Sequence, residues 1–325
     1  MEFNIIFNNF ILLKLILLTF RKMCQLRYII LLLFVAPLAN AQQYIDLAKI
    51  HYANTPLNQS QDNSFSTRIQ EVGFDLTVPF PLENGNAIIT GLYLENIQTQ
   101  VTELSGPTNV YTINPRAGMN IQHNDKWTGT YIVLPKLASD MKNMSSKHYQ
   151  VGAVALLKYK KKENLNFKAG LYYNSELYGP LFTPLFGLYF LSENKKFEAN
   201  LTLPIKADAS YKLTNALSTG IEFNALVRSY FLGNSYYSGN GEYLTKASNE
   251  LFSYLRLNIT PSIILNAKVG YSIGRSYRVY NIDDSISAAL LAFKFGDNRN
   301  QLNTDFDNGL IFKFDLIYRF HIDNE

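Results

Sequence analysis

Tyr149-Gln150-Val151-Gly152-Ala153-Val154-Ala155-Leu156-Leu157-Lys158-Tyr159 is the stretch that decides the fold. Every second residue from Tyr149 to Tyr159 is apolar, and the row is aromatic at both ends; Gln150, Gly152, Val154, Leu156 and Lys158 fall between. A period of two means an extended strand with two unlike faces. Ten steps of ~3.3 Å span roughly 33 Å, which a tilt of about 40° reduces to roughly 25 Å of height, the outward apolar band of a membrane-spanning barrel. A strand of a soluble sandwich is usually shorter, about 5 to 6 residues.

The same texture recurs along the chain. It is found in Val72-Phe74-Leu76-Val78-Phe80, in Tyr111 to Ile121, in Trp127 to Leu137 and in Leu165 to Tyr173. Further on come Leu217 to Phe231, Ile263 to Ile273 and the closing Leu310-Phe312-Phe314-Leu316-Tyr318-Phe320. Tight polar turns are expected at Asn84-Gly85-Asn86, Asn124-Asp125-Lys126, 160–164, Glu193-Asn194-Lys195 and Thr214-Asn215. They alternate with longer expected loops at 54–67, 99–109, 138–148, 174–182 and 232–249, as in a barrel with periplasmic turns at one rim and extracellular loops at the other. The expectation is therefore an all-β, antiparallel transmembrane β-barrel of about 12 to 14 strands. The first strand is Gln43 to Ala53, Phe197 to Leu203 and Ile205 to Leu213 are divided at Pro204, and 281–308 is a long outer loop with short structure around Ser287 to Phe295.

The start is different in kind. Arg27, the apolar run Tyr28 to Val35 and the ending Ala39-Asn40-Ala41 describe a secretory signal peptide cleaved after Ala41, with Met23 as a second candidate start. That assigns 1–41 to the signal region and 42–325 to the barrel. Of the 30 basic residues, Lys14, Arg21, Lys22 and Arg27 leave with the signal, and of the 26 acidic ones Glu2 does, so 26 and 25 remain. A mature net charge near +1 removes the electrostatic motive for binding nucleic acid. The single cysteine, Cys24, leaves too, excluding disulfides, thiol catalysis and cysteine-ligated metal.

The signal ending LANAQQ (38–43), the segments ANLTLP (199–204) and ASYKLTNALSTG (209–220), and the closing GLIFKFDLIYRF (309–320) resemble the uncharacterised outer-membrane β-barrel proteins of Bacteroidetes grouped as a domain-of-unknown-function family. The resemblance implies the architecture and the outer membrane; it implies no reaction. Barrels of this kind often end on an aromatic residue, whereas His321 to Glu325 follow Phe320 here. Outer-membrane lipid and, during biogenesis, the barrel assembly machinery are the expected partners.

The inward positions carry both signs of charge: Glu71, Asp75, Glu95, Arg116, Lys168, Glu198, Asp208, Glu222, Arg228, Arg256, Lys268, Lys313, Asp315 and Arg319. In a barrel they face the lumen, where opposite charges on neighbouring strands pair and fill space. Arg228, Arg256, Lys268, Lys313 and Arg319, all on the last four strands, form a candidate basic stripe that would favour anions if the lumen were open. Glu222 and Asp315 are placed to neutralise it. A count of 12 to 14 lies between about eight strands, which side chains fill, and 16 to 18, which leave a channel.

Lipid hydrolysis or acyl transfer inside a barrel needs a serine beside an oriented histidine near the outer rim. Asp140, Ser145, Ser146 and His148 share one expected outer loop, for which a polar loop is the plainer reading, and no catalytic residue is assigned. His51 and His321 sit near expected strand ends without partners at metal-ligand spacing, and His123 ends an apolar face beside a turn, where an interfacial histidine is the ordinary reading. Asp283-Asp284 and Asp305, Asp307 and Asn308 do not reproduce a calcium loop; no metal or cofactor is expected. The expected function is an outer-membrane barrel of structural or passive-transport character. The alternatives are a hydrophobic-compound transporter and, further off, a lipid-modifying enzyme; with only Gln42 and Gln43 before the first strand, no plug domain is expected.

Overall fold

Fourteen antiparallel strands close into one ring in the computed structural model, which describes residues 44–101, 106–143, 146–233, 236–237 and 241–321. The signal reading of 1–41 lies outside the described residues, as do Ser145 and the last four positions. The ring runs through β1 (Tyr44–Gln59), β2 (Ser66–Pro81), β3 (Ala87–Thr99), β4 (Thr108–Gln122), β5 (Trp127–Ser139), β6 (Tyr149–Lys162) and β7 (Leu165–Glu176). It continues through β8 (Gly179–Leu191), β9 (Phe197–Leu203), β10 (Lys206–Lys212), β11 (Leu217–Leu232), β12 (Glu242–Asn258) and β13 (Ile263–Asn281). The last wall strand, β16 (Gly309–His321), pairs with β13 and with β1, where Ile45 faces Phe320 and Asn54 faces Phe312. Two three-residue strands, β14 (Ala288–Leu290) and β15 (Phe293–Phe295), form a hairpin inside the loop that precedes β16.

Single polar side chains pin the short turns at one end of the ring. Asn84 and Gly85 take positive φ of 64° and 73°, the left-handed conformation that Asn and Gly tolerate best. Asn124 Oδ1 accepts from the backbone N–H of Lys126 and Trp127, Asn194 Oδ1 from that of Lys196, and Thr214 and Thr260 serve the next two turns in the same way. Side chain to backbone bonds of this kind let the chain reverse without leaving donors unmet.

The alternating rows point outward as the period requires. Tyr149, Val151 and Leu157 of β6 are exposed, as are Val269, Tyr271 and Ile273 of β13 and Leu310, Phe312, Phe314, Leu316 and Tyr318 of β16. Aromatic pairs flank the band: Trp127 and Tyr159 lie 5.0 Å apart near the short turns, and Tyr173 and Phe182 lie 5.1 Å apart toward the other end. A closed ring satisfies its backbone internally while presenting hydrocarbon, which is how strands cross a bilayer.

At the long-loop end the strands outrun the expectation. Residues 54–59 extend β1 instead of opening a loop, and the long loop expected at 174–182 is only the turn 177–178 between β7 and β8. His51, expected near a strand end, is therefore mid-strand and buried, its ring 6.3 Å from that of Tyr93.

The ring is not uniform in height. The strands β9 and β10 have seven residues each, and their connection at Pro204-Ile205 stops halfway up the wall. As a result β8 pairs with β9 only from Phe186 to Leu191, and β11 pairs with β10 only from Ser218 to Asn224. Above that level β11 crosses toward β5, where Phe231 pairs with Ser139 and the Asp140 N–H donates to the Phe231 carbonyl. The lumen at this end is filled by Ile69, Ile97, Val110, Ala138, Tyr230, Leu232, Leu244, Tyr277, Val279 and Phe306.

A bulge helps the inward fold of β13. Gly274, at φ +64°, sits where the register with β12 slips between Ala247 and Asn249. Before it, odd-numbered residues such as Val269, Tyr271 and Ile273 face out; beyond it Arg275, Tyr277 and Val279 are buried inward and Ser276, Arg278 and Tyr280 occupy the opposite face. An extra residue in one strand is the usual way to re-aim a face.

Candidate functional site

Beneath the apolar fill lies a layer of buried ion pairs. Lys246 donates to Glu71 across the lumen, and Arg228 reaches Glu95. Tyr277 and Tyr230 hydroxyls donate to the same two carboxylates at 3.3 Å each. Pairing had been expected between neighbouring strands. It occurs where Lys268 of β13 meets Asp315 of β16 and Arg319 of β16 meets Asp46 of β1; the inward fold of β11 and β12 adds pairs that span the lumen, from β12 to β2 and from β11 to β3. Lys136 and Glu176 pair at 3.0 Å, and Arg116 and Asp75 at 2.8 Å.

The five basic residues of the candidate stripe occupy the lumen at different depths. Arg228 is held by Glu95; Arg256 lies 3.7 Å from Asp208; Lys268 is 2.7 Å from both Glu222 and Asp315; Arg319 is 2.6 Å from Asp46 and stacks over Tyr44. Lys313 stands 6.0 Å from the Phe252 ring. Four of the five thus have carboxylates in contact, and the local field is a mosaic of both signs.

Two large cavities lie within the barrel among the described residues. One, of about 570 Å³, opens the short-turn end of the lumen; its walls carry Lys49, Lys158, Lys168, Lys206, Arg256 and Arg319 together with Asp46, Asp208, Glu222 and Asp315. The other, of about 720 Å³, lies in the upper half between the inner wall of β3 to β8 and the back of the inward-folded β11 to β13. No sequence reading anticipated it. The signals present were the seven-residue lengths of β9 and β10 and the proline pair Pro180 and Pro184 inside β8.

The loop 282–308 closes over this second cavity. Its hairpin runs beside the upper edge of β8: the Ile286 N–H donates to Tyr178, and the Leu291 N–H to Phe182. Arg299 stacks 4.3 Å from the Tyr280 ring and 5.3 Å from Tyr178, and Asp297 grips its guanidinium. That hydrogen bond holds the Asp297 carboxyl below its ordinary range, at about 2. Asp305 binds Arg278 through both oxygens, and Asn308 accepts from the Gly274 N–H, so this polar run fastens the loop to β13.

The serine and histidine loop does not assemble a nucleophile among the described residues. Asp140 Oδ1 accepts from the backbone N–H of Lys142 and Gly233, His148 is buried against Phe231 at 4.6 Å, and Ser146 is exposed. His123 bonds Tyr131 at 3.1 Å on the outer face. No group of three or more potential metal ligands occurs among the described residues.

A chain that closes 14 strands around such a lumen is a transmembrane β-barrel of the kind built by outer-membrane proteins. Residues 39–309 match the model of the family described as a domain of unknown function, DUF6268, and the chain belongs to that family. A search of curated proteins returned no match. Among solved structures it is similar to an outer membrane channel from Pseudomonas putida F1, at 8% identity over 89% of this chain and 98% of that one, with a TM-score of 0.46. The NanC porin is similar at 11% identity over 83% and 98%, TM-score 0.35, and the TodX monoaromatic hydrocarbon channel at 9% over 85% and 91%, TM-score 0.35. Likenesses at this level concern the fold alone.

Proposed function

We propose that this chain is an outer-membrane barrel of passive-transport character. A signal within 1–41, cleaved after Ala41, directs its export, and the short turns face the periplasm. What supports this reading is the pairing of a closed ring and an apolar outside with a lumen that holds two cavities, of about 570 and 720 Å³, where close packing would have served a purely structural role. The long-loop end is filled by Tyr230, Leu232, Leu244 and their neighbours, so passage is restricted and not a wide axial pore.

The test is uptake into vesicles with a lipopolysaccharide outer leaflet. Reconstituted barrel should speed entry of small organic solutes over protein-free vesicles, while planar-bilayer recordings show only small conductance steps. Equal uptake with and without protein would remove the transport reading. A large ohmic conductance would remove the restricted axial path. Of the alternatives, a hydrophobic-compound transporter is the one favoured by a specific observation, the apolar half-cavity behind β11.

A further inference from the structure

Among the described residues, the barrel wall has a place where no strand pairs with its neighbour. On β8, Phe182 bonds the loop hairpin and Phe186 bonds β9, leaving 183–185 without a partner on that edge. Three residues amount to about 10 Å of free edge at ~3.3 Å each. The opposite jamb is β11 above Asn224, where the last link to the β9–β10 hairpin is the Ala225 N–H on the Ile205 carbonyl. The sill is Pro204-Ile205 and the lintel is the hairpin tip at Leu291-Ala292.

The local chemistry suits an opening. Within β8, residues of even number direct their backbone groups toward this edge, as the Phe182 carbonyl does in bonding Leu291. Residue 184 is proline, which carries no N–H to leave unmet there. Thr183, Pro204, Ile205, Ala225, Leu291 and Ala292, drawn from all four sides of the gap, line one and the same cavity. The cavity is therefore continuous with the breach in the wall.

Its lining also has a sign. Lys136, Arg228, Arg278, Lys294 and Arg299 reach the walls, each paired with a carboxylate that is not part of the lining, and no Asp or Glu reaches them. Val154, Leu181, Phe223 and Val227 supply the apolar part. At about 720 Å³ the space is in the usual range for a small organic ligand, with an apolar body and a few polar contacts to orient it.

We propose that this cavity is a binding site, entered sideways from the membrane between β8 and β11, for a single-chain apolar molecule with a carboxylate head. The chain lies along the apolar backs of β11 and β12, and the head meets the basic wall. The site rests on the membrane-barrel reading above, but it is read by binding, so a barrel that binds and does not transport, or transports without binding, separates the two.

The experiment uses the full mature barrel in nanodiscs, a diazirine-bearing dodecanoate, the matching alcohol, and a phospholipid carrying the same group in its acyl chain. After illumination the labelled residues are mapped by mass spectrometry. The dodecanoate should label the rim and lining, at Thr183, Ile205, Ala225 and Leu291, in a saturable way that unlabelled laurate displaces. The alcohol should label these positions at least ten-fold less. Ala225→Trp should cut the rim labelling at least ten-fold while Leu255→Trp, on the lipid face away from the gap, leaves it unchanged. Should Ala225→Trp fail to give a folded barrel, Val227→Phe takes its place, and the wild-type map stands by itself. Labelling spread evenly around the apolar band overturns the site. Equal labelling by the alcohol overturns the carboxylate, and rim labelling by phospholipid that laurate cannot displace shows a membrane lipid as the occupant and overturns the free acid.

Discussion

Replacing Lys246 by methionine tests whether the lumen is held shut by charge pairs that cross it. The Lys246 side chain is 1% exposed and its partner Glu71 11%. Without the ammonium, the Glu71 carboxylate keeps the Tyr277 hydroxyl at 3.3 Å and stays close enough to Glu95 to repel it. Breaking a buried pair from one side costs about 3 to 5 kcal/mol, because the surviving charge stays desolvated, whereas replacing both members by apolar residues is often neutral or stabilising by about 1 to 4 kcal/mol. At roughly 2 to 4 °C per kcal/mol for a chain of this order of size, Lys246→Met should lower the apparent unfolding midpoint by about 6 to 20 °C. Adding Glu71→Leu should recover most of that loss. Heat-modifiable gel mobility of the four proteins of this cycle, with urea unfolding from vesicles as a second readout, gives the coupling. A single variant within about 1 kcal/mol of wild type, or a double variant as poor as the two singles summed, would refute a load carried across the lumen by this pair.

Three other perturbations address separate parts. Gly274→Ala puts a methyl group where the nearest atom is Asn249 Nδ2 at 3.8 Å, so space is free and only the positive φ opposes it; the expected loss is about 1 to 2 kcal/mol in the same urea assay, and no loss would deny the bulge its role. Leu232→Ala with Leu244→Ala empties part of the apolar fill, at about 2 to 5 kcal/mol each, and should raise single-channel conductance in planar bilayers; unchanged conductance would place the axial restriction elsewhere. Asp297 has its pKa lowered from 3.8 to about 2 in the folded loop. Its contribution is thus fully present above pH 3.8 and lost as the pH falls toward 2. Hydrogen exchange over 282–308 should be flat from pH 7 to 4, after correction for intrinsic rates, and rise below about pH 3 only in the wild type and not in Asp297→Asn.

The wall was legible because lipid imposes a period. Tyr149 to Tyr159 and Leu310 to Phe320 keep their alternation over a length that suits a face met by hydrocarbon, and Pro204 marked the division of two short strands that the structure places at Phe197–Leu203 and Lys206–Lys212. In 281–308, the stretch with the weakest periodicity, only short structure around Ser287 to Phe295 was legible, and it is the β14–β15 hairpin. The upper lumen was not legible. Periodicity reports which face a residue takes and says nothing of how far the strand bends, so the pairing of Arg228 with Glu95, 133 positions away, had no local signature. His51 was misplaced because Asn54 to Gln59, largely polar and broken by Pro56, looks like a loop until it is paired with 66–70. The second cavity escaped notice because it is bounded by the outward face of β11 to β13, whose Ala225, Val227 and Ala247 look like any lipid-facing row until the strands turn inward.

Shortening two strands has a structural consequence that explains several buried polar groups at once. A strand edge without a partner inside a bilayer costs several kcal/mol for each unmet group, and β9 and β10 leave two such edges. On β8 the loop hairpin takes up part of the edge, and Pro184 removes a donor from the part left open. On β11 the edge is turned into the lumen, where side chains stand in for a strand. Glu176 accepts from the Ser229 N–H at 2.7 Å, Gln150 donates to the Ser229 carbonyl at 3.0 Å, and the Asp140 N–H serves the Phe231 carbonyl. Glu176 and Gln150 are therefore caps for a bent strand, and Lys136 is the counter-charge that lets Glu176 be buried there. Polarity inside this barrel has two separate origins. Around Lys49, Lys206 and Asp208 it borders a cavity continuous with the short-turn rim, whereas around Glu176 and Gln150 it replaces hydrogen bonds that the missing strand length would have made.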